Sequence, residues 1–173
     1  FLSKGHTLGK NIYLGYSPER ENPGDKTFSY KRTPKIISGY SLKCLKLTEK
    51  VYSHIVKKTV KAKSLASAET SKLLENLYRS VNIGLVNELK IICDRLKIDV
   101  FEVIRLASTK NFGFQKFVPG PGLGGHCIPI DPFYLSWASK RKGYDPKFIR
   151  LAGEINSFMP SWVVKQMLKN TKL

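Results

Sequence analysis

Cys127 lies in a segment whose residue types favour a chemical role over a packing role. Gly124, Gly125 and His126 precede it and Pro129 follows two positions later, so it is not on the apolar face of a helix. A thiolate nucleophile needs an accessible, electropositive setting. Glycine lets a ligand approach the backbone closely, because it has no Cβ. We therefore expect Cys127 to act as a nucleophile.

The two other cysteines have different surroundings. Cys93 falls beside the apolar stripe of a predicted helix and Cys44 in an ordinary segment, so we expect both to be packed structurally. His126 beside Cys127 does not predict zinc, because a second pair of ligands is missing, and we expect no metal. Three cysteines without a CxxC pair favour a reducing cytoplasm.

Gly120, Gly122 and Gly125 match the G-x-G-x-x-G spelling of a dinucleotide-binding turn. The context is wrong for that turn, because no predicted strand leads into it and proline-rich sequence follows where a helix should begin. We expect no pyrophosphate site of that type here.

Other polar residues admit two interpretations from the sequence alone. Lys72 and Asn76 are four residues apart and project from one side of a predicted helix. They could act together or simply be solvated. Asp131 precedes Pro132, so a helix N-cap already explains it. The residues themselves do not decide between these roles.

The elements around these residues indicate a mainly α fold preceded by a partial α/β edge. Short β-prone segments are predicted at 11–16, 35–39 and around 58–62, with a helix at 45–55. A long helix is predicted from an N-cap at Ser67. Its apolar residues recur at helical spacing: Leu74, Leu77, Val81, Leu85, Leu89 and Ile92.

The second half of the chain contains further helix signals. Asp99, followed by Glu102, predicts a helix to about Ala107. Asp131 and Asp145, each before a proline, are predicted to cap two more helices. We expect Gly143 to end the first of these and Pro160 to interrupt the second, because proline removes a helical hydrogen bond.

The charge balance indicates an anionic partner. Thirty Lys and Arg against 13 Asp and Glu give a formal net charge of +17, which would attract a nucleotide or a nucleic acid. The basic residues are spread along the chain, which is more typical of solvated faces than of a groove. No apolar run approaches the roughly 20 residues that a bilayer span requires.

Three segments resemble the UDP-glucose/GDP-mannose dehydrogenase family. They are YSPERENPG at 16–24, AETSKLLENLYRSVNIGLVNEL at 68–89 and PGPGLGGHCIPIDPFYL at 119–135. They occur in the family's order, and the last is highly specific. The resemblance covers nearly the whole chain and implies an NAD-dependent enzyme that oxidises the C6 hydroxyl of a nucleotide sugar twice, to a carboxylate.

The resemblance also implies roles for individual residues. Cys127 would attack the intermediate aldehyde, and the resulting thioester would be hydrolysed. Lys72 and Asn76 would donate hydrogen bonds to the oxyanion. Asp131 would orient the water or the lysine, and Glu19 would be a general base. The family pattern further places four residues at the substrate: Phe117, Gly122, Gly124 and Gly125.

Two departures bear on the substrate. The UDP-glucose branch usually has a lysine where Ile130 stands and an acidic residue where Pro23 stands. The sequence is more similar to the branch acting on UDP-N-acetylhexosamines, such as UDP-N-acetylglucosamine. Oxidation of UDP-glucose or UDP-N-acetylmannosamine, and a basic helical module for nucleic acid, are the alternatives.

The domain organisation follows from the same resemblance. Residues 1–65 would be the end of an NAD-binding domain, 66–155 a central helical domain, and 156–173 a helix leading to a UDP-binding domain. The main NAD site would lie outside this sequence, which begins with Phe1 rather than Met. We therefore expect a fragment that is inactive alone and that forms a homodimer through its long helix.

Overall fold

The computed structural model describes residues 5–20 and 32–171. The chain forms two compact units, divided between Leu74 and Glu75. The family resemblance predicted boundaries at 65 and 155, which stay a prediction. The elements in chain order are β1 (Gly15–Tyr16), β2 (Lys35–Gly39), α1 (Leu42–Ser53), β3 (Thr59–Lys61), α2 (Leu65–Leu96), α3 (Val100–Ala107), α4 (Asp131–Lys140) and α5 (Lys147–Asn170).

The first unit contains a three-stranded sheet in the order β1-β2-β3. β1 pairs with β2 antiparallel, with Gly15 opposite Gly39, and β2 pairs with β3 parallel, with Ile36 opposite Val60. The parallel pair is connected through α1, as a βαβ unit requires. The predicted α/β edge is therefore confirmed.

The predicted strand at 11–16 is too long, because its beginning belongs to a turn. The Asn11 side chain accepts a hydrogen bond from the Thr7 backbone at 2.6 Å, and the Asn11 N–H donates to the Thr7 carbonyl. An asparagine that bonds its own neighbourhood in this way competes with strand pairing. Only Gly15–Tyr16 pairs with β2.

The helix predicted at 45–55 begins earlier, at Leu42. Ser41 is its N-cap, and its hydroxyl accepts a hydrogen bond from the Cys44 N–H at 3.2 Å. The turn before the helix is tight, since a Cβ on Gly39 would lie 2.2 Å from the Leu45 nitrogen. Cys44 is buried, as expected, and the Ser41 hydroxyl, 3.2 Å from its sulfur, lowers the pKa of the Cys44 thiol.

The N-cap of the long helix α2 lies three residues before the predicted one, and the helix begins at Leu65. Ser64, not Ser67, supplies the cap: its hydroxyl accepts a hydrogen bond from the Ser67 N–H at 3.0 Å. Both serines have the chemistry of a cap, and the earlier one lies where the chain leaves β3. Within the described part of the chain, no helix is sufficiently long and apolar to pass through a membrane.

The second unit has a small apolar core where α2 meets α3. Val86, Cys93, Val100 and Ile104 form it, with Leu89 and Phe117 packed against them. The predicted cap of α3 is confirmed, because the Asp99 carboxylate accepts a hydrogen bond from the Phe101 N–H at 2.9 Å. The packed role expected for Cys93 is confirmed too.

Two predictions about the last helices are wrong. Pro146, not Asp145, is the N-cap residue of α5, and the Asp145 carboxylate instead forms ion pairs with Lys140 at 3.1 Å and Arg150 at 3.8 Å. α5 also continues through Pro160 without interruption. Packing of a long helix can offset the single hydrogen bond that a proline removes.

The end of α4 agrees more closely with the sequence. The helix ends at Lys140, and Gly143 follows with a φ of +85°. Its N–H donates to the Lys140 carbonyl, while the Tyr144 N–H donates to Ser139. This pair of bonds is a Schellman motif, which places glycine in the left-handed conformation.

Candidate active site

Cys127 is exposed and lies in the turn that leads into α4. Its carbonyl accepts hydrogen bonds from the backbone N–H groups of Ile130 at 3.1 Å and Asp131 at 2.8 Å. Those bonds tie the Cys127 backbone to the first residue of the helix. Since Cys44 and Cys93 are both buried, Cys127 is the accessible thiol among the three cysteines.

Asp131 is the first residue of α4 rather than its cap, so the predicted capping role is wrong. The N-cap is Ile130, without a side-chain hydrogen bond. The Asp131 carboxylate instead accepts a hydrogen bond of 2.5 Å from the Asn76 amide, 55 residues earlier in the chain. The Asp131 carboxylate therefore bonds Asn76 on another helix instead of capping its own helix. The structure thus brings Asn76 together with Asp131, which lies four positions after Cys127 in the sequence.

Lys72 lies one turn before Asn76 on α2 and is half-buried. Residues four apart on a helix project from the same side, as the sequence predicted for this pair. The division at Leu74 assigns Lys72 to the first unit and Asn76 to the second. The roles of both residues in catalysis stay predictions.

Glu19 also belongs to the first unit, after β1. Its exposed carboxylate lies 2.8 Å from the Lys35 ammonium, at a cavity of about 290 Å³ that Arg20 and Tyr52 also line. An ion pair of this kind holds the carboxylate near β2. Residues 21–24 of the matching segment, including Pro23, lie outside the described residues.

The four residues predicted to contact substrate have different surroundings. Gly124 and Gly125 face open space, since a Cβ there would meet nothing within 4 Å. At Gly122, with a φ of +121°, a Cβ would lie 2.9 Å from the Asn156 carbonyl oxygen. Phe117 packs edge-on against the Tyr78 ring, with 5.9 Å between centroids. Gly122 and Phe117 therefore have packing roles, and substrate contact by all four stays a prediction.

The G-x-G-x-x-G spelling at Gly120–Gly125 has no strand leading into it. A turn follows it, and the next helix begins at Asp131. This arrangement lacks the strand-turn-helix geometry that cradles a pyrophosphate. We assign no nicotinamide cofactor site to these residues. The described residues also contain no group of three or more His, Cys, Asp or Glu that could hold a metal ion.

The second unit also contains a buried group of polar residues that was not predicted from the sequence. Ser80, Asn87 and Asn156 are each at most 3% exposed. The Asn87 amide bonds the Asn156 amide and the Gly120 N–H, and the Asn156 amide donates to the Ser80 backbone carbonyl. One signal could have revealed part of it. Asn76, Ser80 and Asn87 are spaced by four and seven residues, which places them on one side of α2.

A cavity of about 180 Å³ is lined by Pro121, Gly122 and Leu123 of the glycine-rich segment that precedes Cys127. Ile128 and Pro132, the neighbours of Cys127 and Asp131, form part of its wall, and Ser80 and Asn156 form another part. The cavity lies entirely within the second unit. The segment around Cys127 thus borders a cavity and is not packed on all sides.

The second unit combines helices, an accessible cysteine and the hydrogen-bonded Asn76–Asp131 pair. The family model for the central domain of the UDP-glucose/GDP-mannose dehydrogenase family matches residues 66–158, more than half of the chain. The chain belongs to this family.

Individual relatives agree with that assignment. The chain is 43% identical over 166 residues to UDP-N-acetyl-D-glucosamine 6-dehydrogenase of Salmonella typhi, covering 95% of this chain and 39% of that protein. It is 37% identical to UDP-N-acetyl-D-mannosamine dehydrogenase of Methanococcus maripaludis, covering 96% and 38%.

A solved structure also matches. UDP-D-ManNAc dehydrogenase of Pyrococcus horikoshii superposes with a TM-score of 0.86 at 34% identity, covering 95% of this chain and 38% of that one. The chain thus spans about two fifths of the length of the relatives that it matches.

Proposed function

We propose that the chain is the central part of an NAD-dependent UDP-sugar 6-dehydrogenase that converts a C6 alcohol to a carboxylate through a thioester on Cys127. One observation carries the proposal most directly. The accessible thiol lies four residues before an aspartate whose carboxylate is bonded by Asn76 on another helix. A nucleophile beside an oriented amide and a carboxylate suits acyl chemistry.

The substrate that we propose is a UDP-N-acetylhexosamine. The relatives quoted above are named as dehydrogenases of UDP-N-acetyl-D-glucosamine and UDP-N-acetyl-D-mannosamine. Ile130, in place of the lysine usual in the UDP-glucose branch, favours the same class. A basic chain also suits a substrate with a diphosphate group.

Cys127, Asn76 and Lys72 would act on the aldehyde stage. The Cys127 thiolate adds to the aldehyde carbon, which turns the carbonyl oxygen into an oxyanion. An asparagine amide has two N–H donors. The Asp131 carboxylate accepts a hydrogen bond from one N–H of Asn76, and this bond fixes the plane of the Asn76 amide. The other N–H remains to stabilise the oxyanion, together with the Lys72 ammonium.

Hydrolysis of the thioester would complete the reaction. Asp131 would orient the attacking water or Lys72, and Glu19 would take a proton from the water. NAD⁺, bound outside the described residues, would accept the hydride in each of the two oxidations. We therefore propose that this chain alone does not reduce NAD⁺, and that it functions as part of a longer, cytoplasmic protein.

We also propose a homodimer through α2. Leu74, Leu85 and Ile92 are between 46% and 61% exposed in the isolated chain. A row of exposed large apolar residues along a 32-residue helix is typical of a surface that another protein covers. An isologous interface between two copies of the helix would bury it. Nucleic-acid binding, which rested on net charge alone, is not favoured.

The test of the proposed chemistry is substitution of Cys127 in the full-length protein. Cys127→Ala should reduce uronic acid production by orders of magnitude, and Cys127→Ser should stall after partial oxidation, because an alkoxide leaves less readily than a thiolate. Mass spectrometry of a turnover quenched with acid should find a sugar adduct on the Cys127 peptide. Cys93→Ala, which changes a buried thiol, is the control. Near-normal production by Cys127→Ala would refute the thioester.

A further inference from the structure

A chain of three hydrogen bonds connects the segment before Cys127 to α2 through two buried amides. The Gly120 N–H donates to Asn87 Oδ1 at 2.9 Å, and Asn87 Nδ2 donates to Asn156 Oδ1 at 2.9 Å. Asn156 Nδ2 then donates to the Ser80 carbonyl at 3.0 Å. All four residues belong to the second unit. We call residues 119–127 the cysteine loop.

Only one arrangement of these amides satisfies every partner. A backbone N–H such as that of Gly120 can only donate, and a backbone carbonyl such as that of Ser80 can only accept. The two ends therefore determine the direction of every bond between them. Asn87 must present oxygen to the loop and nitrogen to Asn156, although the two ends of an asparagine amide have nearly the same shape.

Burial makes this arrangement costly to disturb. Asn87 is 0% exposed and Asn156 is 3% exposed. A buried polar group that loses its partner bears the full cost of desolvation, and connected hydrogen bonds strengthen one another. The loop position that satisfies the Asn87 oxygen is therefore favoured over positions that leave it without a donor.

The loop meets α5 at a second point. The backbone of Gly122 lies so close to Asn156 that a Cβ would be 2.9 Å from its carbonyl oxygen and 3.5 Å from the Pro160 ring. Proline has no N–H, so Pro160 cannot donate to the Asn156 carbonyl four residues earlier. The same residue thus contacts the loop through its carbonyl and, by way of Asn87, through its side chain.

We propose that Asn87 and Asn156 are positioning residues that hold the cysteine loop so that Cys127 stays within reach of Asn76 and Asp131. This inference rests on the proposed role of Cys127 as the nucleophile. Both amides are buried, at most 3% exposed. They act through the backbone of Gly120 and Gly122, while the Cys127 carbonyl secures the other end of the loop to α4.

The decisive variant is Asn87→Asp in the full-length protein. The aspartate keeps an oxygen for the Gly120 N–H but places its second oxygen against Asn156 Oδ1, which breaks the direction of the chain. Asn82→Asp is the matched control, because Asn82 lies on the same helix and donates to the Tyr78 carbonyl, at 2.7 Å, rather than to the chain of buried amides. If Asn87→Asp does not fold, Asn87→Ser, whose hydroxyl can donate and accept, takes its place.

Three measurements on the folded variant separate positioning from general loss of stability. Amide hydrogen exchange in peptides covering 119–127 should accelerate about tenfold, the effect of losing one ordinary hydrogen bond, while peptides from α3 stay protected. The rate of Cys127 alkylation by iodoacetamide should change as well. The kcat should fall about 100-fold, since small displacements of a reacting group have effects of that size, with a much smaller change in KM.

Each other result overturns the inference. Unchanged exchange in the cysteine loop would do so, as would an equal effect of Asn82→Asp. Exchange that accelerates evenly through the whole chain would show a purely structural role. The exchange and alkylation measurements do not depend on turnover. If Cys127→Ala remained active while Asn87→Asp loosened the loop, the proposed function would fail, not the anchoring of the loop.

Discussion

Two faces of α2 differ in a way that the hydrophobic pattern does not predict. On one face Asn76, Ser80 and Asn87 are at most 6% exposed, and on another Leu85 and Ile92 are 61% and 46% exposed. Burial of polar groups is costly unless each is hydrogen-bonded. Here the partners are present: Asp131, Asn156 and Gly120.

A hydrophobic pattern predicts which residues favour burial, but it does not predict what covers them. One buried face of α2 is polar because it positions the cysteine loop and the Asn76–Asp131 pair, whereas Val86 and Cys93 bury a second, apolar face against α3. The exposed apolar face is the surface that we propose a second copy of the chain covers. Each leucine or isoleucine buried there would contribute about 1.5–3 kcal/mol.

The largest effect is expected at Asn76, on the polar buried face of α2. Asn76→Leu removes the amide that bonds Asp131, and we expect turnover of the full-length protein to fall about 100- to 1,000-fold, as for loss of one oxyanion donor. Steady-state rates with UDP-N-acetylhexosamines measure this. Asn82→Leu, on the same helix, should retain most of the activity. Comparable losses in both variants would contradict a special role for Asn76.

The apolar face should respond in association rather than in folding. Leu85→Gln together with Ile92→Gln removes two exposed apolar residues from each copy, so we expect the dimer dissociation constant to rise about 100-fold or more. Sedimentation velocity at tens of micromolar measures this. The melting temperature of the dilute monomer should hardly change. A wild-type chain that is strictly monomeric would refute the dimer, though not the helix.

The meeting point of the buried face and the loop should be sensitive to one methyl group. Gly122→Ala introduces a Cβ at a φ of +121°, 2.9 Å from the Asn156 carbonyl oxygen, so we expect a loss of about 2 kcal/mol in the free energy of unfolding. Gly124→Ala, which meets open space, should leave that stability nearly unchanged. Chemical denaturation compares the two. Equal melting would show that the loop moves freely away from α5.

The smallest effect is expected where α2 ends and both faces stop. Lys97 has a φ of +59°, and the bonds around it, Ile98 N–H to Cys93 and Lys97 N–H to Asp94, form a Schellman motif. Because glycine adopts this conformation without steric cost, Lys97→Gly should stabilise the fold by about 1 kcal/mol. Lys90→Gly, inside the helix, should destabilise it by a similar amount. Thermal melting would detect both signs.

The predictions from sequence succeeded where a structure depends on neighbouring residues. The cap at Asp99 and the helix end at Gly143 are local features, and both are confirmed. The caps predicted at Asp131 and Asp145 are wrong, because those carboxylates bond Asn76, Lys140 and Arg150. A carboxylate satisfies whichever donor the fold brings to it, and a local pattern does not contain that donor.

The sequence by itself determined the family of this protein and the residue types of its candidate site: a cysteine among glycines, a lysine and an asparagine one helical turn apart, and three segments that resemble one enzyme family. The tertiary structure alone decided that Asn76 meets Asp131 and that Asn87 and Asn156 hold the cysteine loop. Side-chain type specifies what a residue can bond, whereas its partner depends on which helices pack together. That packing joins residues up to 76 positions apart, beyond the reach of any periodicity along the chain.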